Sequence, residues 1–196
     1  MLEDRRRRTT RAMATVIDPT RRARVLDLGS GDGAVLMSLR PLLPAGSAAL
    51  GIDLLESRLV AARQVHPDLV VAAANGAALP FPPAAVDVVT VFTVFSSILD
   101  AGLAQAVAGE VRRILAPGGA VVWYDMARNN PRNRAVRGLP IAAVRALFPG
   151  WHVDLEPCTV LPPLVRRTEP LVPGSYGLLA RIPGLRTHLF GVLRPH

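Results

Sequence analysis

Residues 25–33 read Val-Leu-Asp-Leu-Gly-Ser-Gly-Asp-Gly, and this stretch decides the fold. An apolar, β-prone run passes directly into a turn with glycine at every second position. These glycines are Gly29, Gly31 and Gly33. Because glycine has no Cβ, such a turn lets the backbone pass close to a ligand. A second short apolar run, residues 50–53, ends in Asp53. The order of strand, glycine turn, helix and strand with a terminal acid predicts a ligand pocket at the carboxyl edge of a parallel sheet.

The spacing of the glycines separates two classes of cofactor. Dinucleotide-binding folds use Gly-x-Gly-x-x-Gly and place a pyrophosphate at the N-terminus of the following helix. Here the third glycine comes one position earlier, and Asp27 lies just before the turn. A carboxylate aimed into the turn would repel a pyrophosphate and attract a cationic sulfonium or ammonium group. The pattern therefore favours a ligand with a cationic group over a dinucleotide.

Residues 25–33 resemble the first motif of class I S-adenosylmethionine (SAM)-dependent methyltransferases, and the C-terminal half is reminiscent of bacterial small-molecule members. The resemblance implies that Asp53 binds the two ribose hydroxyls of SAM. It also implies that the loop after the third strand holds the adenine. The family usually has Asp where this chain has Asn75, whose side-chain oxygen can still accept a hydrogen bond from the adenine amino group. The cofactor-binding residues that the resemblance implies are Asp27, Gly29, Ser30, Gly31, Gly33, Asp53, Leu54, Asn75, Gly76, Ala77 and Phe92.

The resemblance extends over residues 24–125, about half of the chain. Residues 110–119 match the helix, turn and fifth-strand entry of the family, and we interpret Pro-Gly-Gly at 117–119 as a structural turn between them. Each motif has an ordinary alternative when taken singly: Asp27 could cap a turn, and Asp53 could be a simple strand-end acid. Taken in order at the right spacing, the motifs predict a SAM site.

Length and composition favour one compact domain over residues 1–196, with a helical N-terminal region at 1–23. Half of the residues are apolar, yet no uninterrupted run approaches the ~18–20 residues of a membrane span. The run of arginines at 5–8 is not followed by an apolar stretch, so we do not expect a signal peptide. The single cysteine, Cys158, excludes an internal disulfide framework and a multi-cysteine metal site, and we expect a cytoplasmic protein.

Charge is distributed unevenly along the chain, which has no lysine. The net charge is +5 over residues 1–24, −4 over residues 25–125 and +7 over residues 126–196. Basic flanks around a transfer site suggest an anionic small molecule or a nucleic acid as substrate. The alternative is a solvated arginine surface without a binding role, and the sequence leaves both open.

Helical and strand patterns alternate along the chain. Apolar positions in residues 103–115 recur with a helical period. We predict helices over residues 4–16, 33–40, 56–64, 103–115 and 141–147. We predict strands over residues 24–28, 48–53, 69–73, 86–92, 120–125, 152–159 and 187–193. This alternation indicates an α/β, Rossmann-like doubly wound sheet. The family resemblance implies seven strands, mostly parallel, with the last strand antiparallel.

The resemblance implies that the methyl acceptor lies at the ends of the fourth and fifth strands. Candidates for contact with it there are Thr93, Ser96, Ser97 and Tyr124. Asp125 is the best general-base candidate, although an acid at that position could also cap the next turn. The proline-rich residues 160–184 could form a lid over the acceptor or a contact in a homodimer. No metal-ligand cluster stands out in the sequence.

The predicted function is transfer of the methyl group of SAM to an O or N atom of a small-molecule acceptor, which the basic flanks suggest is anionic. One alternative is an RNA methyltransferase that uses the arginine-rich ends. Few aromatic residues are available to stack on bases, which disfavours nucleic acid. The other alternative is a non-catalytic scaffold subunit with the same fold, which the departure at Asn75 encourages and the intact Asp27-to-Asp53 set opposes.

Overall fold

The computed structural model of the chain describes residues 2–129, 133–160, 175–179 and 181–196. The helices are α1 (Leu2–Val16), α2 (Ala34–Leu39), α3 (Glu56–Val65), α4 (Ala101–Ile114), α5 (Ile141–Leu147) and α6 (Ser175–Leu179). The strands are β1 (Arg24–Leu28), β2 (Ala48–Asp53), β3 (Val71–Ala73), β4 (Val86–Phe92), β5 (Leu115–Met126), β6 (His152–Val160) and β7 (Arg186–Arg194). Short 3-10 helices cover Arg40–Leu42, Phe95–Ser97 and Pro183–Leu185.

The strands form one seven-stranded sheet in the order β3-β2-β1-β4-β5-β7-β6. All pairs from β3 to β5 are parallel, and β7 lies between β5 and β6, antiparallel to both. The doubly wound, mostly parallel sheet predicted from the sequence is therefore confirmed, including its antiparallel last strand. Because β1 and β4 are central and parallel, their carboxyl ends meet at one edge, where the chain must turn away from the sheet.

Both faces of the sheet are covered, which is why β4 is apolar at nearly every position. On one face, Val89 and Val91 pack with Trp123 and with residues of α4 and α5. On the other face, Val88 and Phe92 pack with residues of α1 and with the end of α2. The N-terminal helix α1 is thus part of the core, and it lies on the sheet face that carries Phe92.

The bounds of β1, β2, β4 and α5 agree with the prediction. The other predicted elements differ from it at one or both ends, most of them by one or two residues, and three of these differences have a clear structural cause. The helix α4 begins two residues earlier than expected because Asp100 caps it: its Oδ1 accepts a hydrogen bond from the N–H of Leu103 at 2.7 Å. Strand β5 begins at Leu115 and includes the predicted 117–119 turn, so the interpretation of those residues as a turn before the strand is wrong. They form an irregularity in the β4–β5 pairing, where a Cβ on Gly119 would meet the Asp87 carbonyl at 2.7 Å. Strand β3 is shorter than predicted, because Leu69 closes the turn that follows α3: its N–H donates a hydrogen bond to the His66 carbonyl at 3.0 Å.

Most of the segment predicted as a lid or dimer contact, residues 160–184, lies outside the described residues. Of that segment, α6 contacts α1, because the Tyr176 hydroxyl donates a hydrogen bond to Asp4 Oδ2 at 3.1 Å. Cys158 is buried, and burial raises the pKa of its thiol to about 11. None of the helices in the described ranges is long and apolar enough to cross a membrane.

Candidate functional site

The glycine turn after β1 adopts a backbone conformation that favours glycine. Gly29, Gly31 and Gly33 have φ angles of 70°, 53° and 77°, in the left-handed region. A Cβ on Gly33 would lie 2.3 Å from Leu69 Cδ1, and a Cβ on Gly29 would lie 2.7 Å from Val94 Cγ2. The turn therefore needs glycine both for its φ angles and for close packing at its two ends.

Asp53, at the end of β2, holds this turn in place. Its Oδ2 accepts a hydrogen bond from the Gly31 N–H and its Oδ1 accepts one from the Leu55 N–H, both at 2.9 Å. A carboxylate offers about four acceptor positions, so two remain for a ligand diol. Arg58 lies at the edge of this group, with its Nη1 4.0 Å from Asp53 Oδ2. The predicted link between the glycine turn and the terminal acid of β2 is thus a direct contact.

Asp27 is buried beneath the turn, with only 1% of its surface exposed. Its Oδ1 accepts a hydrogen bond from the Thr90 hydroxyl at 2.6 Å, while its Oδ2 has no partner among the described residues. Burial raises the pKa of this carboxyl to about 7, and the nearby Asp53 charge contributes. A buried carboxylate oxygen without a partner is costly, and a cationic ligand group would stabilise its ionised form.

A cavity of about 490 Å³ opens beside the glycine turn, at the carboxyl ends of β1 and β4, and Asp27, Gly33 and Asp53 are not among the residues that line it. That volume lies within the range of small-molecule sites. Its lining residues are Arg5, Gly29, Ser30, Gly31, Asp32, Ala34, Val35, Arg58, Ala61, Phe92 and Thr93. The structure therefore brings together four of the predicted cofactor residues, namely Gly29, Ser30, Gly31 and Phe92.

The loop predicted to hold an adenine adjoins Asp53 but does not line this cavity. The Ala74 N–H donates a hydrogen bond to the Asp53 carbonyl at 3.1 Å, which joins the end of β3 to the end of β2. Asn75 is exposed, and its Oδ1 accepts a hydrogen bond from the Ala77 N–H at 2.9 Å, as in a local turn. Leu54 is 70% exposed beside this loop. The adenine-binding roles of Leu54, Asn75, Gly76 and Ala77 stay predictions.

Asp125, the predicted general base, is fully buried at the end of β5. Its Oδ2 accepts a hydrogen bond from the Ser96 N–H at 3.1 Å, and its Oδ1 accepts one from the Met126 N–H at 2.7 Å. Burial raises the pKa of this carboxyl. Asp125 therefore fastens the Phe95–Ser97 helix to β5, and it is not among the residues that line the cavity. Its catalytic role stays a prediction.

An aromatic cluster adjoins the cavity on the side of β5. Phe92 lies with its ring centroid 5.6 Å from that of Tyr124, and Tyr124 stacks on His188 at 4.9 Å with an interplanar angle of 8°. The Tyr124 hydroxyl forms a hydrogen bond with Thr159 Oγ1 at 3.0 Å. The Arg5 guanidinium carbon lies 5.7 Å from the Tyr124 ring centroid. Thr93 lines the cavity next to this cluster with a φ of 58°, a strained value for a β-branched residue.

Two functional candidates were missed by sequence reasoning, Arg5 and Arg58. Nothing in the run of arginines near the N-terminus distinguishes Arg5 from its neighbours, and only the packing of α1 brings it to the cavity. Arg58 lies five residues beyond Asp53, on the first turn of α3, and no spacing rule marks it because Asp53 ends a strand and Arg58 belongs to the next helix. Within the described ranges, no group of His, Cys, Asp and Glu residues could hold a metal ion.

Part of this chain is similar in sequence to known proteins. Residues 25–119 match the family model described as a methyltransferase domain. A demethylmenaquinone methyltransferase of Thermus thermophilus is 34% identical over 106 residues, which cover 52% of this chain and 46% of that protein. A demethylmenaquinone methyltransferase of Streptomyces griseus is 30% identical over 118 residues, 60% of this chain and 49% of that protein. The chain thus matches about half the length of these curated relatives.

The fold comparison extends over nearly the whole chain. The crystal structure of a SAM-dependent methyltransferase from Methanosarcina mazei superposes with a TM-score of 0.68 at 12% identity, covering 93% of this chain and 96% of that one. At this identity the likeness shows the fold alone. Together with the domain match, it confirms the resemblance to class I SAM-dependent methyltransferases that the sequence motifs indicate.

Proposed function

We propose that this chain, whose residues 25–119 belong to the methyltransferase domain family, is a SAM-dependent methyltransferase that acts on an O or N atom of a small-molecule acceptor. The observation that carries the proposal is the pair of acids at the glycine turn. Asp27 presents a buried oxygen without a partner among the described residues, and Asp53 retains acceptor positions beside the Gly31 N–H. One acid suits a cationic group and the other suits a diol, and SAM carries both.

The chain's own residues would bind and orient the reactants. When bound, SAM supplies a methyl group already activated by its sulfonium. Asp53 would accept hydrogen bonds from the ribose hydroxyls, and Asp27 would stabilise the positive charge of the cofactor. Phe92 and Thr93, at the end of β4, would border the acceptor and exclude water from it. An acceptor hydroxyl of high pKa would need a base, whereas an amine could release its proton to solvent.

The small-molecule acceptor is supported by the relatives whose names specify one. Both curated relatives are demethylmenaquinone methyltransferases, so a quinol-like compound is the first acceptor to test. These names support the small-molecule class of the acceptor and do not bear on the choice of an O or N atom, because the methyl group that demethylmenaquinone lacks is on a ring carbon. This chain matches only about half of their length, and its own acceptor is therefore proposed at the level of its class. The cytoplasmic location, the single domain over residues 1–196 and the homodimer stay predictions.

An acceptor screen with labelled SAM would test this function. The purified chain would be incubated with methyl-tritiated SAM and with demethylmenaquinone analogues, phenolic acids, small amines and total RNA in parallel. We expect label transfer to a small molecule and none to RNA. Label in RNA that falls steeply with added salt would instead support the RNA alternative, since phosphate contacts are salt-dependent. Tight SAM binding with no transfer to any acceptor would favour the scaffold alternative.

A further inference from the structure

The four consecutive arginines of α1 differ in their partners. Arg6 and Arg7 each form an ion pair with Glu3, at 3.2 Å. Arg8 pairs with Asp4 on its own helix and with Glu156 on β6. Arg5 has no carboxylate partner among the described residues. Three of these four arginines therefore have a carboxylate partner within the protein, whereas Arg5 has none among the described residues.

Arg5 is also the member of this run that lines the cavity beside the glycine turn. It is half-buried, and its guanidinium lies over the ring of Tyr124. Stacking on an aromatic ring restrains the guanidinium while leaving its N–H groups free to donate. A partly buried cation that is held in place at a cavity and lacks a counter-charge is a ready anion site.

The other charged groups at the cavity form no ion pair with Arg5. Asp32 is the one acid among the described residues that line the cavity, and its Oδ1 accepts a hydrogen bond from the Ala34 N–H at 3.1 Å. Arg58 lies on the side of Asp53, with that carboxylate 4.0 Å away. Asp27 and Asp53 lie beneath the glycine turn, where Asp53 is occupied by backbone N–H groups. On the side of Arg5, burial and the Arg5 charge lower the pKa of His188 to about 4, so this side chain is neutral at pH 7. The lining of the cavity therefore carries two arginines, and of these only Arg58 lies within ion-pair distance of a carboxylate among the described residues.

We propose that Arg5 binds a carboxylate or phosphate group of a ligand in this cavity. The identity of that ligand rests on the proposed function, and two sources share the chemistry. One is the carboxylate of the cofactor's amino-acid portion, whose ammonium group would face Asp27. The other is an anionic group on the methyl acceptor, which would lie over the ends of β4 and β5 beside Phe92 and Tyr124.

Binding measurements on the full chain distinguish these sources. The variants are Arg5→Met, Arg5→Lys and, as a matched control on the same helix, Arg6→Met, each checked for unchanged thermal unfolding. The probes are S-adenosylhomocysteine, which has the carboxylate, and methylthioadenosine, which lacks the whole amino-acid portion. Benzoate and its neutral counterpart benzamide are titrated by calorimetry into protein with and without S-adenosylhomocysteine.

We expect Arg5→Met to weaken one carboxylate probe about tenfold or more, as loss of a charge-assisted pair would, with partial recovery in Arg5→Lys. A loss confined to S-adenosylhomocysteine, with methylthioadenosine unchanged, assigns the cofactor carboxylate. A loss confined to benzoate assigns the acceptor. If Arg5→Met matches Arg6→Met for every probe, the proposal is overturned. If the unaltered chain binds neither nucleoside, the proposed function fails, and benzoate binding to the free protein still decides the role of Arg5.

Discussion

The two sides of the cavity are built in different ways. On the side of β1 and β2, one short stretch of chain supplies the glycine turn, and Asp53 fixes it through two backbone N–H groups. On the side of β4 and β5, Arg5 comes from α1, Tyr124 from β5 and His188 from β7. The first side is a local motif that suits one cofactor. The second depends on contacts between distant segments, so its side chains can be changed without altering the glycine turn.

On the side of the glycine turn, the largest expected effect is the contribution of Asp27 to the pH dependence of the unfolding free energy. Its folded-state pKa is raised to about 7, from 3.8, so the folded protein holds a proton that the unfolded chain has lost between these values. The contribution of Asp27 to stability should therefore fall as pH rises from about 4 to 7, by at most about 4 kcal/mol. His188, whose pKa is lowered to about 4, contributes in the opposite direction over most of this range, so the two contributions largely offset each other in the unaltered chain. Urea unfolding at several pH values would therefore compare the unaltered chain with Asp27→Asn, whose unfolding free energy should rise more steeply with pH over this range. An unchanged slope in that variant would contradict this contribution of Asp27.

Replacement of Gly33 should produce the next largest loss of stability. Gly33→Ala imposes a side chain at a positive φ and places its Cβ against the buried Leu69, which we expect to cost about 2–3 kcal/mol. Gly150→Ala is a matched control, because Gly150 has a φ of 79° with nothing within 4 Å of its added Cβ. Urea unfolding of both variants separates strain from packing. Equal losses would contradict close packing at the end of the glycine turn.

A smaller effect is expected on the side of β5. Tyr124→Phe removes the hydroxyl that bonds Thr159 Oγ1 and keeps the ring that stacks on His188, so we expect a loss of about 1 kcal/mol in unfolding free energy. The affinity for S-adenosylhomocysteine should stay within about twofold of the unaltered value, since the two sides of the cavity are built separately. A marked fall in that affinity would contradict the separation of the two sides.

The elements that sequence reasoning predicted best are those with a local cause. The strands β1, β2 and β4 have the predicted bounds because each is a short apolar run with a clear end. Strand β5 was predicted over residues 120–125, but its first residues, 115–119, were missed, since they join the pairing with β4 through a bulge that glycine permits rather than dictates. No local pattern marks such a bulge.

The residues of the candidate site also separate into those whose contacts follow from the local sequence and those whose contacts depend on tertiary packing. The contact of Asp53 with the Gly31 N–H follows from the spacing of two strands and a turn. Arg5 could not be separated from Arg6, Arg7 and Arg8, because its place at the cavity depends on how α1 packs on the sheet. Asp125 has the expected strand-end position, yet backbone N–H groups of Ser96 and Met126 occupy its carboxylate. The position of an acid in the sequence does not show whether neighbouring backbone N–H groups already donate hydrogen bonds to its carboxylate.

The most direct test of the central claim is a calorimetric titration with SAM, S-adenosylhomocysteine and NADH. It would compare the unaltered chain with Asp53→Ala and with Asp154→Ala, which removes an exposed acid on β6. We expect the first two ligands to bind the unaltered chain and Asp154→Ala, no binding of NADH, and a loss of about 100-fold in Asp53→Ala, as removal of a carboxylate that pairs with two hydroxyls would cause. Absence of SAM binding to the well-folded unaltered chain, or equal affinity in Asp53→Ala, would contradict the claim.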